Sequence, residues 1–310
     1  MVFYSRLAQL MPLSQGRYVT IGNFDGVHLG HSAVIDTLKQ SASAQHLTCT
    51  VVTFEPHPSE FFQPQKAPAR LTNLREKVVQ LASLGVDEVL LLRFNRRLAH
   101  LSATDFVQQI LVQALKTRHL VVGDDFRFGR DRQGDFALLR HMGESHGFTV
   151  AKTPSFCVDN KRVSSTQIRS CLATGDLSQA QALLGRHYSL SGRVIHGDHV
   201  GRQWGFPTAN LRVKRKILPL SGIFAVQAHG IAPQALAGVA SIGTRPTVDG
   251  TREQVEVHLL NFQQDIYGHY VTLDFLQRFR DELRFDSVAA LVEQIKRDVC
   301  QAQVFFDRYS

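Results

Sequence analysis

Residues 18–31 read Tyr18-Val19-Thr20-Ile21-Gly22-Asn23-Phe24-Asp25-Gly26-Val27-His28-Leu29-Gly30-His31. A short apolar, β-branched run ends on a glycine, and the turn after it opens into a helical pattern over 31–44. Gly22 and Gly26 permit a tight strand-to-helix turn with close backbone approach. The start of a helix offers unpaired N–H groups and the positive end of its dipole, which favour a phosphate. His28 and His31 share one face of that first turn, where two imidazoles can hydrogen-bond a phosphate whose charge grows during transfer. Gly30 between them leaves room for a nucleotide. From the residues alone the pair is a phosphate-handling element, a surface pair or half of a zinc site. Zinc takes three or four ligands, and no obvious partners accompany these two.

Outward from this turn the first half of the chain alternates. Strands are expected at 18–22, 47–54, 86–94, 120–123 and 148–152, with helices at 31–44, 74–84, 106–116 and 136–146. Ser102 and Asp105 form a capping-box pattern before the third helix. Near-continuous apolar strands alternating with helices predict a doubly wound parallel sheet, with ligands at the carboxyl ends of its strands. A polar helical stretch, 165–184, is broken by Gly175; after it the period changes to two. Short strands at 188–195, 223–228, 236–242, 255–261 and 270–279, then a helix over 287–308, predict a small antiparallel β-barrel with a terminal helix. The expected domains are 1–184 and 185–310.

At 310 residues the chain has the length of two domains. Its 44% hydrophobic and 20% charged residues exclude a disordered or collagenous protein. Four scattered cysteines without a Cys-x-x-Cys pair, an N-terminus without signal-peptide character and no long apolar run point to a cytoplasmic protein without membrane attachment. Lys and Arg number 35 against 27 Asp and Glu, a net +8 that asks for anionic partners. The excess is even: 20 basic against 15 acidic residues up to 185, then 15 against 12. The run Arg212-Val213-Lys214-Arg215-Lys216 has no interleaved aromatics and reads as a solvated loop rather than a nucleic-acid contact. No Gly-x-Gly-x-x-Gly and no Gly-Lys pair occur, which removes the usual dinucleotide site and the Walker A loop.

Four more segments carry chemistry. Thr53-Phe54-Glu55-Pro56-His57-Pro58 follows the second expected strand and fits the rule that ligands sit at strand ends. Val163-Ser164-Ser165-Thr166-Gln167-Ile168-Arg169 sets hydroxyls before a helix and an arginine one turn in, either an anion clamp or an ordinary cap. Asp124-Asp125-Phe126-Arg127-Phe128 follows the fourth expected strand, its two rings either lining a flat ligand or anchoring the loop. Gly197, Gly201, Arg202, Gly205, Pro207, Thr208 and Asn210 form a pliable loop leading into a strand, on which Thr208 and Asn210 share one side. A hydroxyl and a carboxamide there either bind Mg²⁺ and phosphate oxygens without adding negative charge or, as such pairs on a strand usually do, face solvent.

The frame Gly-x-Phe-Asp-Gly-x-His-x-Gly-His resembles the HxGH nucleotidyltransferases, which transfer AMP or CMP from a nucleoside triphosphate. The string Gly-Phe-Pro-Thr-Ala-Asn (205–210) resembles riboflavin kinases, with agreement at 222–226, 241–247 and 255–261. Together, from about Tyr18 to Phe306, the chain resembles the bifunctional bacterial riboflavin kinase/FMN adenylyltransferase (FAD synthetase) family. The resemblance implies riboflavin and ATP giving FMN in the barrel, then FMN and ATP giving FAD and pyrophosphate in the N-terminal module, both with Mg²⁺. It implies that His28 and His31 hold the triphosphate with Gly22, Asn23, Phe24, Asp25 and Gly30. Ser164, Ser165, Thr166 and Arg169 would clamp it, and Asp124–Phe128 would touch flavin. In the barrel it implies Glu256 as the base, Thr208 and Asn210 on the metal, and Arg280 near the flavin. Asp125 stands where many relatives carry Asn, and Asn261 where Asp is common. The implied partners are riboflavin, FMN and ATP, with no nucleic acid or membrane, in a monomer or weak homo-oligomer. Two other readings stay open: a nucleotidyltransferase for another phosphorylated acceptor, and a flavin-responsive nucleic-acid-binding regulator.

Overall fold

Short β-branched runs too brief for helices supply the strands of the first unit. The computed structural model describes residues 1–159, 161–197, 201, 204–247 and 250–309. In it β1 (Val2–Tyr4), β2 (Arg17–Ile21), β3 (Thr48–Glu55), β4 (Glu88–Arg93), β5 (Thr117–Gly123) and β6 (Thr149–Thr153) form one parallel sheet ordered β1-β4-β3-β2-β5-β6. Helices α1 (Leu29–Ser43), α2 (Pro58–Phe62), α3 (Leu74–Ser83), α4 (Arg96–Ala99), α5 (Ala103–Phe106) and α6 (Phe136–His146) connect the strands, α5 running on into a π-helical stretch, Val107–Ala114. Successive strand residues face opposite ways. Val52 and Val122 therefore pack with Phe106, Leu111 and Leu139, while Val51 and Val121 pack with Ile35, Leu38 and Leu81 on the other face. From β2 the chain steps to β3 and β4, then returns to lay β5 on the other side of β2. The crevice beyond the carboxyl ends of β2 and β5 is thus the switch point where such sheets bind ligands.

By its contacts the chain divides into two units, Met1–Pro68 with Leu74–Ser164, and Ala69–Asn73 with the chain from Ser165 onward. The second unit opens with α7 (Ser165–Thr174) and α8 (Leu177–Leu184), which packs against β9 and β14. A ribbon of β7 (Cys157–Val158) and β8 (Lys161–Arg162) precedes α7 in the first unit. Then β9 (Tyr188–Ile195), β10 (Ala209–Arg212), β11 (Gly222–His229), β12 (Leu236–Thr247), β13 (Gly250–Leu259) and β14 (Tyr270–Arg280) close an antiparallel barrel in the order β10-β13-β12-β11-β14-β9. Alternation fills its interior with Phe224, Ala240 and Val257, paired across three strands, and turns their sequence neighbours outward. The C-terminal helix, Val288–Tyr309, lies on that outer face, where Val299, Ala302 and Phe306 pack against Ile223 and Val239. No described helix is long and apolar enough to cross a membrane.

The parallel sheet and the barrel are the fold expected from the sequence. The differences are local. The third helix begins three residues early, because Ser102 caps it at the Asp105 N–H (3.0 Å). The β12–β13 hairpin runs past its apolar part, since backbone pairs such as Thr244↔Glu253 continue the ladder. β13 stops before Asn261, whose φ of 54° cannot continue a strand. The run at 212–216 is only partly solvated: Arg212, Lys214 and Lys216 are exposed, but Arg215 donates to Leu71 O at 2.9 Å.

Candidate active sites

β2 ends where the Gly22 N–H donates to Val52 O (3.1 Å). The turn then uses three left-handed residues, Phe24 (φ 46°), Gly26 (φ 85°) and Val27 (φ 40°). For a β-branched valine this is a strained conformation, of order 1–3 kcal/mol. It holds because Phe24 and Val27 are packed in the core beside Ile35 of α1. His28 then caps α1 in reciprocal fashion: the His31 N–H reaches His28 Nδ1 (3.4 Å), and the His28 N–H reaches His31 Nδ1 (3.3 Å). Their rings stack with centroids 3.6 Å apart. Because each Nδ1 faces a backbone N–H, each neutral imidazole keeps its proton, and its donor, at Nε2. A Cβ on Gly30 would come within 3.2 Å of the His28 ring and 3.5 Å of Val163 O, so the backbone leading into Ser164 lies beside this turn. The turn is tied from β3 as well. Thr53 Oγ1 donates to Asn23 O (3.2 Å), and the wholly buried Lys77 donates to Thr53 Oγ1 (3.3 Å). Asp25 is buried and Asn23 exposed.

The loop after β5 occupies the other side of the switch point. Arg162 of β8 donates to Asp124 Oδ1 (3.1 Å) and Asp125 Oδ2 (2.8 Å). The Ser155 hydroxyl, donating to Asp124 at 2.5 Å, is the main reason that carboxyl is held below its usual range, with Arg162 and Lys152 adding to the effect. Phe126 and Phe128 stack at 5.6 Å, and Phe128 also packs on Phe106 within the core. Arg127 pairs with Asp135 (3.3 Å). Of the segment 163–169, Ser164 belongs to the first unit, while Ser165, Thr166 and Arg169 lie in α7 of the second. Arg169 Nε donates to Ala69 O at 2.6 Å.

In the barrel, register assembles the site. Asn210 on β10 pairs directly with Glu256 on β13, Glu256 with Ser241 on β12, Ser241 with Ile223 on β11, and Ile223 with Arg280 on β14. Residues directly opposite share a face, so these five form one row along the outer wall of a cavity of about 500 Å³, lined by all of them. Thr208 Oγ1 donates to Glu256 Oε2 (3.3 Å). Gly197 lies against Asn210, where a Cβ would stand 2.2 Å from its Nδ2. The Trp204 and Phe206 N–H groups donate to Gly201 O (3.2 and 2.9 Å), Gly205 turns with φ 83°, and Pro207 O accepts from His258 Nδ1 (2.9 Å). Arg280 is held by the C-terminal helix, Nε and Nη2 donating to the two oxygens of buried Asp298 at 2.9 and 2.6 Å. Arg202 lies outside the described residues.

Sequence reading missed two groups here. Phe54, Phe61, Phe62 and Phe94 meet edge to face at the carboxyl ends of β3 and β4 (5.5–5.9 Å), with Phe62 61% exposed. Gln254, two residues before Glu256 on the same face of β13, donates to Asn210 Oδ1 (3.0 Å) and to Glu256 Oε1. Alternation along β13 was the signal for the second; of the first, the strand-end segment 53–58 signalled Phe54 alone, and nothing local signals the rings it meets. Among the described residues no group of three or more His, Cys, Asp or Glu could hold a metal. The oxygens of Thr208 and Asn210 instead suit an ion held partly by substrate phosphates, as Mg²⁺ is.

Fold and sites together define a two-module transferase: a histidine-capped turn at the strand ends of a parallel sheet and a polar row on a closed barrel. Residues 11–167 match the family model for FAD synthetase and residues 184–306 the one for riboflavin kinase. The chain is 48% identical to the bifunctional riboflavin kinase/FMN adenylyltransferase of Escherichia coli K12, across 94% of this chain and 93% of that one. The proteins of the same name from Pseudomonas fluorescens (48%; 96% and 95% covered) and Haemophilus influenzae (45%; 94% and 95%) are similar. A Streptococcus pneumoniae crystal structure named macrolide-efflux protein shares the fold, with TM-score 0.81 at 30% identity over 97% of this chain and 98% of that one. The chain belongs to the bifunctional riboflavin kinase/FMN adenylyltransferase family.

Proposed function

We propose that this chain phosphorylates riboflavin in its barrel and adenylylates the FMN so made in its parallel-sheet module. In the first reaction the terminal ribityl hydroxyl gives its proton to Glu256 while its oxygen attacks the γ-phosphorus of ATP. The bond from that phosphorus to the β,γ-bridging oxygen breaks, and ADP leaves. Thr208 Oγ1 and Asn210 Oδ1 are the oxygens that would hold Mg²⁺, whose chemistry there is to neutralise phosphate charge. Arg280 stands at the far end of the row, on the flavin side. Gly197, Gly201, Gly205 and Pro207 belong to the nucleotide side of this reading, as does Arg202. In the second reaction an FMN phosphate oxygen attacks the α-phosphorus of ATP, the bond to the α,β-bridging oxygen breaks, and pyrophosphate leaves. His28 and His31 donate from Nε2 to phosphate oxygens there, in the same unit as Ser164. Phe126 and the exposed edge of the Phe54–Phe62–Phe94 cluster take the flavin ring. Neither step needs a covalent enzyme intermediate; catalysis is positioning and charge stabilisation.

The observation that carries this reading is the row: a carboxylate sits directly opposite Asn210 and within reach of Thr208, all on one cavity wall. Residues 1–184 are assigned to adenylylation and 185–310 to phosphorylation, which the extents of the two family matches support. A cytoplasmic, monomeric or weakly self-associating enzyme goes with this reading, its partners riboflavin, FMN and ATP. Purified chain given riboflavin, ATP and Mg²⁺ should yield FMN first and FAD after it by chromatography. No FMN would remove the kinase assignment; FMN that never becomes FAD would remove the adenylyltransferase assignment.

A further inference from the structure

One side chain stands between the two groups that the kinase reaction uses. Gln254 Nε2 donates one hydrogen to Asn210 Oδ1 at 3.0 Å and the other to Glu256 Oε1. An amide NH₂ has two hydrogens, and here both have acceptors, which fixes the orientation of both carboxamides. We infer that Gln254 is a positioning residue of the kinase site, locking the Asn210 carboxamide and the Glu256 carboxylate to each other; this rests on the reading of Glu256 as the base.

The terminal torsions of Asn, Gln and Glu are broad, so a carboxylate on a strand does not by itself aim at one place. Four contacts, from Thr208, Gln254 and Gly197, remove that freedom here. Glu256 accepts from Thr208 through one oxygen and from Gln254 through the other. Asn210 is gripped by Gln254 at its oxygen and lies over Gly197 at its nitrogen, where not even a methyl group fits. The circuit Thr208–Glu256–Gln254–Asn210 spans two neighbouring strands whose pairing places Asn210 opposite Glu256. The chemistry of the link matters as well. Lysine or arginine in this place would pair with the carboxylate and weaken it as a base, and a second carboxylate would repel it. An amide orients without changing the charge, and it leaves Asn210 Oδ1 a second lone pair for a ligand.

Two replacements in the full chain test this: Gln254→Met, which keeps length without a donor, and Gln254→Glu, which keeps shape but replaces the donor with a carboxylate. Both should lower kcat for riboflavin phosphorylation by about 10- to 100-fold, the scale of lost positioning, while KM for riboflavin moves less than about threefold. Riboflavin affinity, read by quenching of flavin fluorescence, should stay near that of the parent chain, and adenylylation of supplied FMN should be unchanged. A Gln254→Met rate within about twofold of the parent beside an inactive Glu256→Gln overturns the inference alone. Loss of riboflavin binding in both variants overturns it too, since Gln254 would then be a structural prop. A Glu256→Gln chain that retains the parent rate removes the base assignment, and the inference with it.

Discussion

Two glycines stand directly against side chains of the candidate sites. At Gly30 an added methyl would crowd the His28 ring at 3.2 Å, although the position is helical and alanine favours helix. Gly30→Ala should therefore leave thermal stability intact while slowing FAD formation about 10- to 100-fold, with FMN formation unchanged, as separate rate assays for the two steps can establish. Gly197→Ala should do the converse, since its methyl would overlap the Asn210 carboxamide at 2.2 Å and displace it. Residue-level reading singled out His28, His31, Thr208 and Asn210 as candidates because each sits in a dense local pattern. It reached Glu256 only through the family resemblance, for one glutamate on an alternating strand looks like any solvent-facing glutamate. Gln254 escaped for the same reason: its role comes from pairing with β10, which lies more than forty residues away in the chain.

At the scale of elements, one carboxylate at the start of β4 joins four strands of the parallel sheet, at the opposite end of β2 from the His28–His31 turn. Glu88 on β4 accepts from Arg17 on β2 (2.7 Å), Thr50 on β3 (2.8 Å) and Tyr4 on β1 (3.2 Å), and both members of its ion pair are buried. Glu88→Ala leaves a buried guanidinium uncompensated and should cost about 3–5 kcal/mol, lowering the denaturation midpoint of the first unit. Pairing it with Arg17→Met should recover most of that loss, because the unpaired charge is then gone. Alternation made β2 to β6 legible to within a few residues, since each is an apolar run between helical patterns. β1 was not legible: three residues carry no period, and only its pairing with β4 makes it a strand. The β7–β8 ribbon is equally short and is defined by one antiparallel pair of strands, which is why the Arg162 clasp on Asp124 and Asp125 could not be anticipated.

For the whole molecule, the even spread of the +8 charge matches two modules that each handle ATP, rather than one basic face. The period change at residue 185 marked the barrel correctly as a separate architecture, yet α7 and α8, which precede it, make their contacts with the second unit. Helical periodicity cannot report which sheet a helix will cover. The central claim is that two separate sites carry two separable reactions in one chain. The direct measurement follows products from riboflavin and from FMN, each with ATP and Mg²⁺, for a His28→Ala/His31→Ala chain and a Glu256→Gln chain. The first should make FMN from riboflavin and stop there; the second should make no FMN from riboflavin yet convert supplied FMN to FAD. Retention of both reactions by either chain, or loss of both from one that remains folded, would contradict the assignment.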